Sequence, residues 1–305
     1  MNSKFKFIKT FLYFIPFTLI SYVILVCIGG YIFPNGVFKN LNYQLGGTGY
    51  LYTRLQEVKQ KKNIDILFVG SSLTYRGYDP RIFKNYGYST FNLGSSSQTP
   101  LQTEILLERY LSLLNPKTIF YEVNPETFSS DGIESTLDLI ANDNLDGKIF
   151  DLAIKQNHIK VYNALIYSCC RTLFNNNNNY KENSRKENDT YISGGFVQKN
   201  LLNNKDSFTT KIDWKMNNNQ IVAFERIINK IRKKNIKLLF VQAPVIQKYL
   251  NNEKFDVIIS SFGEYYNFNK ILYLKDSSFF YDNFHLNQNG VTIYNEFFIK
   301  KYLGK

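Results

Sequence analysis

A chain of 305 residues with 44% hydrophobic and 16% aromatic content is long and apolar enough to bury a sizeable core, which excludes a globally disordered polymer. The formal charge of +12 would suit nucleic acid or an anionic surface, but Lys and Arg are scattered among Asn and Asp without forming a stripe, so the charge reads as a solvated surface. Cys27 lies in an apolar run and Cys169 and Cys170 are adjacent, too close to bridge without strain, so no disulfide framework, zinc spacing or cofactor follows from the cysteines and the 2 histidines.

Residues Phe11 to Phe33 form an uncharged, mostly apolar segment slightly longer than the roughly 20 residues a membrane-spanning helix needs. Lys4, Lys6 and Lys9 precede it, so residues 1–10 are expected in the cytoplasm, 11–33 as the anchor, and the rest outside the cytoplasmic membrane. A cleaved signal peptide competes with this reading, but the small residues of its cleavage site are missing, the first alanine being Ala141. Residues 34–61 read as a Gly- and Asn-rich linker over Pro34 to Gly49, then a short amphipathic helix, about Tyr50 to Lys61. A domain is expected over 62–305.

Within it, Ile64 to Val69, apolar except for Asp65 and rich in β-branched and aromatic residues, has the signature of a strand buried on both faces, and it stops abruptly at Gly70-Ser71-Ser72. A loop and a short helix over Arg81 to Tyr86 follow, then a second strand, Ser89 to Leu93, ending in Asn92-Leu93-Gly94-Ser95-Ser96-Ser97-Gln98-Thr99-Pro100. Pro100 opens a helix carrying Leu101, Ile105, Leu111 and Leu114, and Thr118 to Val123 is a third strand ending in Asn124-Pro125-Glu126. Ile133 to Leu173 reads as helical with polar breaks. The tract at about 174–211 lacks the apolar content to pack and reads as a mobile insertion. Ile221, Phe224, Ile228 and Ile231 mark a helix face, Lys237 to Gln242 a fourth strand and Ile271 to Leu274 a fifth. Strands alternating with helices predict an α/β fold: a doubly wound sheet of about five parallel strands.

The last segment carries the sharpest chemical signal. In Asp282-Asn283-Phe284-His285, a carboxylate three residues before a histidine on a turn entering a helix can meet its imidazole. Such a carboxylate holds one ring nitrogen as the donor and lets the other take a serine proton. Ser72, at the carboxyl end of the first strand where α/β sheets place ligands, is the candidate nucleophile, His285 the base and Asp282 its orienter. The backbone N–H groups of Gly94 and Ser72 and the side chain of Asn124 are candidate oxyanion donors. Each has a plainer reading as well. Ser72 can cap a helix, His285 can be a buried structural histidine, Asp282 can serve a turn, and Asn124 can be a turn asparagine before proline. Tyr75, Arg76 and Trp214 are further possible substrate contacts, and His158 reads as an ordinary surface residue.

These residues resemble the SGNH, or GDSL-type, hydrolase superfamily over about residues 62–303. Its Gly-Asp-Ser block is similar to Gly70-Ser71-Ser72, its Asn-x-Gly-x-Ser-Gly-x-Thr block to Asn92 through Thr99, and its Asp-x-x-His to Asp282 through His285. The resemblance implies a flavodoxin-like three-layer α/β/α fold and Ser-His-Asp acyl chemistry. Ser71 stands where the first block has Asp, as in some membrane-anchored members that look like envelope acyl-transfer proteins. Ser97 replaces a glycine of the second block, and the third block, usually Gly-x-Asn-Asp, survives only as Glu122-Val123-Asn124-Pro125. The expected function is therefore a membrane-anchored serine esterase or O-acyltransferase acting on an acyl, in particular acetyl, ester of an extracytoplasmic envelope glycan or polymer. Envelope-assembly partners are compatible with this and nucleic acid is not expected. The rival from another class is a catalytically idle domain of this kind that binds glycan or scaffolds an envelope assembly.

Overall fold

The computed structural model describes residues 3–33, 37, 40–41, 45–174, 180–200, 210–272, 274 and 277–304. In chain order they form α1 (Ser3–Ile32), α2 (Leu51–Val58), β1 (Ile66–Gly70), α3 (Ser72–Gly77), α4 (Pro80–Asn85), β2 (Thr90–Gly94), α5 (Pro100–Leu114) and β3 (Thr118–Glu122). There follow α6 (Pro125–Ser129), α7 (Ile133–Asn142), α8 (Gly147–Gln156), α9 (Ile159–Leu173), β4 (Arg185–Lys186), β5 (Asp189–Ile192), β6 (Phe196–Lys199) and α10 (Asn218–Lys233). The chain ends with β7 (Lys237–Gln242), α11 (Asn252–Ser260), β8 (Tyr265–Asn267), α12 (Phe268–Ile271) and α13 (Gln288–Tyr302).

Strands β2-β1-β3-β7-β8 lie in that order in one parallel sheet, with Ile66 beside Thr90 on one side and Thr118 on the other. Numbered along the sheet's own strands this is 2-1-3-4-5, the flavodoxin-like doubly wound order, whose switch point lies between β1 and β3. Because successive strand residues point to opposite faces, the unbroken apolar run of β1 feeds two cores. Leu67 and Val69 join α5, α7 and α10 through Leu106, Leu139 and Phe224, while Ile66 and Phe68 join α4 and α13 through Phe83, Tyr294 and Phe298. The result is three layers, α/β/α.

The helix expected at Phe11 to Phe33 is α1, 30 residues with a mean hydropathy of 2.4 over its most apolar window, long and apolar enough by composition to cross a membrane. The linker read over Pro34 to Gly49 and the segments 175–179 and 201–209 of the polar tract lie wholly or partly outside the described residues.

Two expectations are corrected. The fifth strand is not Ile271 to Leu274 but Tyr265–Asn267, which pairs in parallel with Phe240 to Gln242. Ile271 instead ends α12, and Leu272 and Leu274 pack against the α4–α13 core. The tract at about 174–211 is also not without packed structure. Residues 185–199 form a three-stranded antiparallel sheet, β4-β5-β6, whose Phe196 and Val197 are buried. Phe196 joins the core that contains Phe83 and Phe298, Val197 packs with Tyr50 and Tyr75, and polar groups add further ties. Asp189 makes a two-pronged ion pair with Arg76, and the Gly194 carbonyl accepts from the Asn92 N–H, covering the edge of β2.

Candidate active site

The site begins where β1 stops. Gly70 has φ +143°, and a Cβ there would stand 2.6 Å from Thr74 Oγ1 and 2.8 Å from the Glu122 carbonyl, so the turn out of the strand requires glycine. Ser71 then takes the N-cap of α3, its Oγ accepting from the Leu73 N–H. The capping role that the sequence left open for Ser72 thus falls to Ser71. Ser72, the first residue of α3, has its hydroxyl 2.7 Å from His285 Nε2.

His285 arrives from the other end of the chain on a tight loop closed by the Tyr281 N–H donating to the His285 carbonyl and by Asn287, which caps α13. Within that loop Asp282 Oδ1 accepts from the N–H groups of Phe284 and His285 at 2.8 and 2.7 Å. Its two oxygens lie 3.0 and 2.9 Å from His285 Nδ1. Partial burial works to raise the Asp282 pKa, but the hydrogen bond and charge of His285 and the two backbone donors outweigh it and hold the carboxyl below its ordinary value. With Nδ1–H given to this carboxylate, Nε2 is left to accept from Ser72. The Tyr281 ring stacks on the imidazole, centroids 5.4 Å apart and planes within 6°, and the Arg76 guanidinium lies 5.7 Å from the Tyr281 centroid.

Beneath Ser72 lies a group the sequence reading passed over. Glu122, the last residue of β3 and 2% exposed, accepts from Ser71 Oγ at 3.1 Å and from Asn124 Nδ2 at 3.3 Å. Burial pushes its carboxyl up to about 7 against the lowering effect of the Asn124 and Ser71 hydrogen bonds. The signal that could have found it was the conjunction of Ser71, where the resembling family carries Asp, with a charged residue closing an otherwise apolar strand.

Asn124 caps α6, its Oδ1 accepting from the Thr127 N–H, so the turn role before Pro125 is present. Its Nδ2 stays on Glu122. Gly94, at the end of β2, is buried and does not line the cleft; a Cβ there would stand 2.7 Å from the Gly70 carbonyl and 2.8 Å from that of Ser71. Its place is one of close backbone approach to the turn that carries Ser72. The cleft itself, about 380 Å³, is lined by Ser72 and His285 with Ser96, Ser97, Asn124, Glu126, Thr127, Ser130, Glu134, Tyr249 and Phe284.

The structure does not bring Tyr75, Arg76 or Trp214 to this cleft. Tyr75 is buried, Arg76 is committed to Asp189, and Trp214 donates to the Leu250 carbonyl. His158 caps α9, accepting from the Lys160 N–H. Among the described residues no group of three His, Cys, Asp or Glu side chains is placed to hold a metal ion.

Neither protein-family models nor curated proteins match the chain. Among solved structures, 11 chains match. One is a crystal structure from Bacteroides fragilis described as a "putative acylhydrolase", with a TM-score of 0.40 and 10% identity over 85% of this chain and 98% of that one. At that score the likeness carries no argument, and the reading of the site rests on its own geometry.

Proposed function

We propose that the chain is a membrane-anchored serine ester hydrolase or O-acyltransferase working through an acyl-enzyme. The observation that carries this is the continuous line from Asp282 through both nitrogens of His285 to the Ser72 hydroxyl, opening into a cleft. Ser72 Oγ attacks the ester carbonyl while His285 Nε2 takes its proton, and Asp282 steadies the imidazolium that forms. The tetrahedral oxyanion is held by the Ser72 N–H and, once it swings from Glu122, the Asn124 amide; Gly94, which does not line the cleft, supports the turn that carries Ser72. Collapse expels the alcohol, which takes the proton from His285 and leaves Ser72 acylated. Water or a sugar hydroxyl then attacks the acyl carbonyl by the same proton path, giving free acid in one case and a new ester in the other.

The hydroxyl-rich lining, with Ser96, Ser97, Thr127, Ser130 and Tyr249, suits a polyhydroxylated substrate such as an O-acylated, in particular acetylated, envelope glycan. The packing of α1 on α9 supports an uncleaved anchor, since a removed leader has no need to fit the mature domain, and Lys4, Lys6 and Lys9 before it support a domain outside the cytoplasmic membrane. The test is labelling of the detergent-solubilised full chain with a serine-reactive fluorophosphonate. Wild type should label, and Ser72→Ala and His285→Ala should lose labelling while keeping the same thermal unfolding. A folded wild type that stays unlabelled rejects the enzyme reading in favour of a glycan-binding scaffold.

A further inference from the structure

We propose that the corner between α8 and α9 is a second membrane-contacting element, dipping into the outer face of the bilayer that α1 spans; the inference rests on reading α1 as a spanning helix. The anchor does not leave the domain on a free tether. The Tyr22 hydroxyl donates to Asn163 Oδ1 on α9 at 2.5 Å, Val26, Gly29 and Gly30 are buried, and any Cβ on Gly30 would collide with the Tyr167 ring. Asn163 meets the anchor at Tyr22, and Tyr167, one turn later, meets it at Gly30. The two helices therefore run in the same sense, and the start of α9, with the end of α8, lies toward the membrane interior side of that contact. The uncharged stretch Phe11 to Phe33 is about 35 Å long against a hydrocarbon thickness of about 30 Å, so the contact from Tyr22 to Gly30 falls in the outer half of the span.

The corner has the surface such a position requires. α8 buries Ile149, Leu152 and Ala153 in the domain, yet beside the exposed Asp151 its outer face also carries Phe150 and Ile154, 43% and 66% exposed. Ile159, opening α9, is 51% exposed. By contrast, α10 turns mainly charged residues, Glu225, Arg226, Arg232 and Lys233, to solvent over the same kind of buried face. An exposed apolar stripe needs an occupant, and its continuity with the anchor makes that occupant lipid. Lys155 and Lys160 flank the stripe, where their long stems can lie along acyl chains while the ammonium groups reach headgroup phosphates.

The test uses the full chain in vesicles of phosphatidylcholine and phosphatidylglycerol with brominated acyl chains, which quench tryptophan on contact. In a Trp214→Phe background, which removes the chain's 1 tryptophan, single tryptophans are introduced as Ile20→Trp in the anchor, Ile154→Trp and Ile159→Trp at the corner, and Val257→Trp on α11. Val257 is 70% exposed at the opposite, β8 edge of the sheet. The expectation is that Ile154→Trp and Ile159→Trp are quenched several-fold more than Val257→Trp and approach Ile20→Trp. Corner variants that behave like Val257→Trp while Ile20→Trp is quenched overturn the inference alone. An unquenched Ile20→Trp overturns the anchor reading and the inference with it.

Discussion

At the scale of single residues, Gly94 and Glu122 decide how well Ser72 is held. A Cβ at position 94 meets two backbone carbonyls, those of Gly70 and Ser71, and backbone cannot rotate away as a side-chain tip can. Gly94→Ala should therefore displace the turn and slow fluorophosphonate labelling of Ser72 about 10–100-fold, at a stability cost of about 1–3 kcal/mol, read from labelling rates and thermal unfolding on one preparation. Glu122 carries the opposite kind of information. Its folded pKa is raised from the ordinary 4.5 to about 7, so between those values the folded chain binds a proton that the unfolded chain has released. Stability must fall as pH rises through that window, by up to about 3 kcal/mol. Asp282 acts in reverse. Its lowered pKa contributes stability above the unfolded value, lost as pH drops through the folded one. Unfolding temperatures of wild type and Glu122→Gln from about pH 5 to about pH 8 should converge at the acid end and diverge in the mutant's favour at the alkaline end. Parallel curves would show that Glu122 is not the titrating group.

At the scale of elements, one buried arginine ties three segments together. Arg54 of α2 is 0% exposed, and its nitrogens donate to the carbonyls of Gly49, Gly94 and Gly195. These belong to the lead-in turn, the end of β2 and the turn between β5 and β6, and the guanidinium also lies 4.4 Å from the centroid of Tyr75 on α3. Arg54→Met keeps the volume but strands three buried acceptors, each worth about 1–3 kcal/mol. It should lower thermal stability by about 3 kcal/mol or more and slow labelling of Ser72, because Gly94 loses its fixed place. Unchanged labelling in a destabilised Arg54→Met chain would confine the arginine to a purely structural role. The β4-β5-β6 sheet contributes to the site by a second route. Asp189 fixes Arg76, Arg76 lies against Tyr281, and Tyr281 stacks on His285.

At the scale of the whole molecule, two cores pack on either side of the sheet that carries the candidate site, and in the proposed reading α1 determines where that site works. The expected outcome is that the full chain stays with membranes through alkaline carbonate extraction and that protease added from outside the cytoplasmic membrane reaches the domain but not Lys4 to Lys9. Accessibility only from the cytoplasmic side would reverse the topology and remove the envelope glycan as substrate. With α1 spanning the membrane as proposed, the packing of Gly30 against Tyr167 of α9 holds the domain close to the bilayer.

What could be read from the chain by itself were features written within a short stretch. An apolar run ending in Gly70-Ser71-Ser72 is a buried strand and its turn, Asp282 and His285 stand three residues apart on one loop, and α1 shows its length and apolar character directly. Alternation of strands and helices was enough for a parallel sheet of five strands, because right-handed crossovers leave few other arrangements. The structure alone placed groups whose contacts span long separations: Ser71 with Glu122 across 51 residues, Arg54 with Gly195 across 141, Ser72 with His285 across 213. It also moved the fifth strand to Tyr265–Asn267 and gave packed structure to residues 185–199. Local periodicity reports which face of a segment is apolar, but not which partner reaches it first. The β4-β5-β6 sheet is tied down by a charge pair to Arg76, a backbone hydrogen bond to Asn92 and two buried side chains, Phe196 and Val197, too few to leave a period in the sequence.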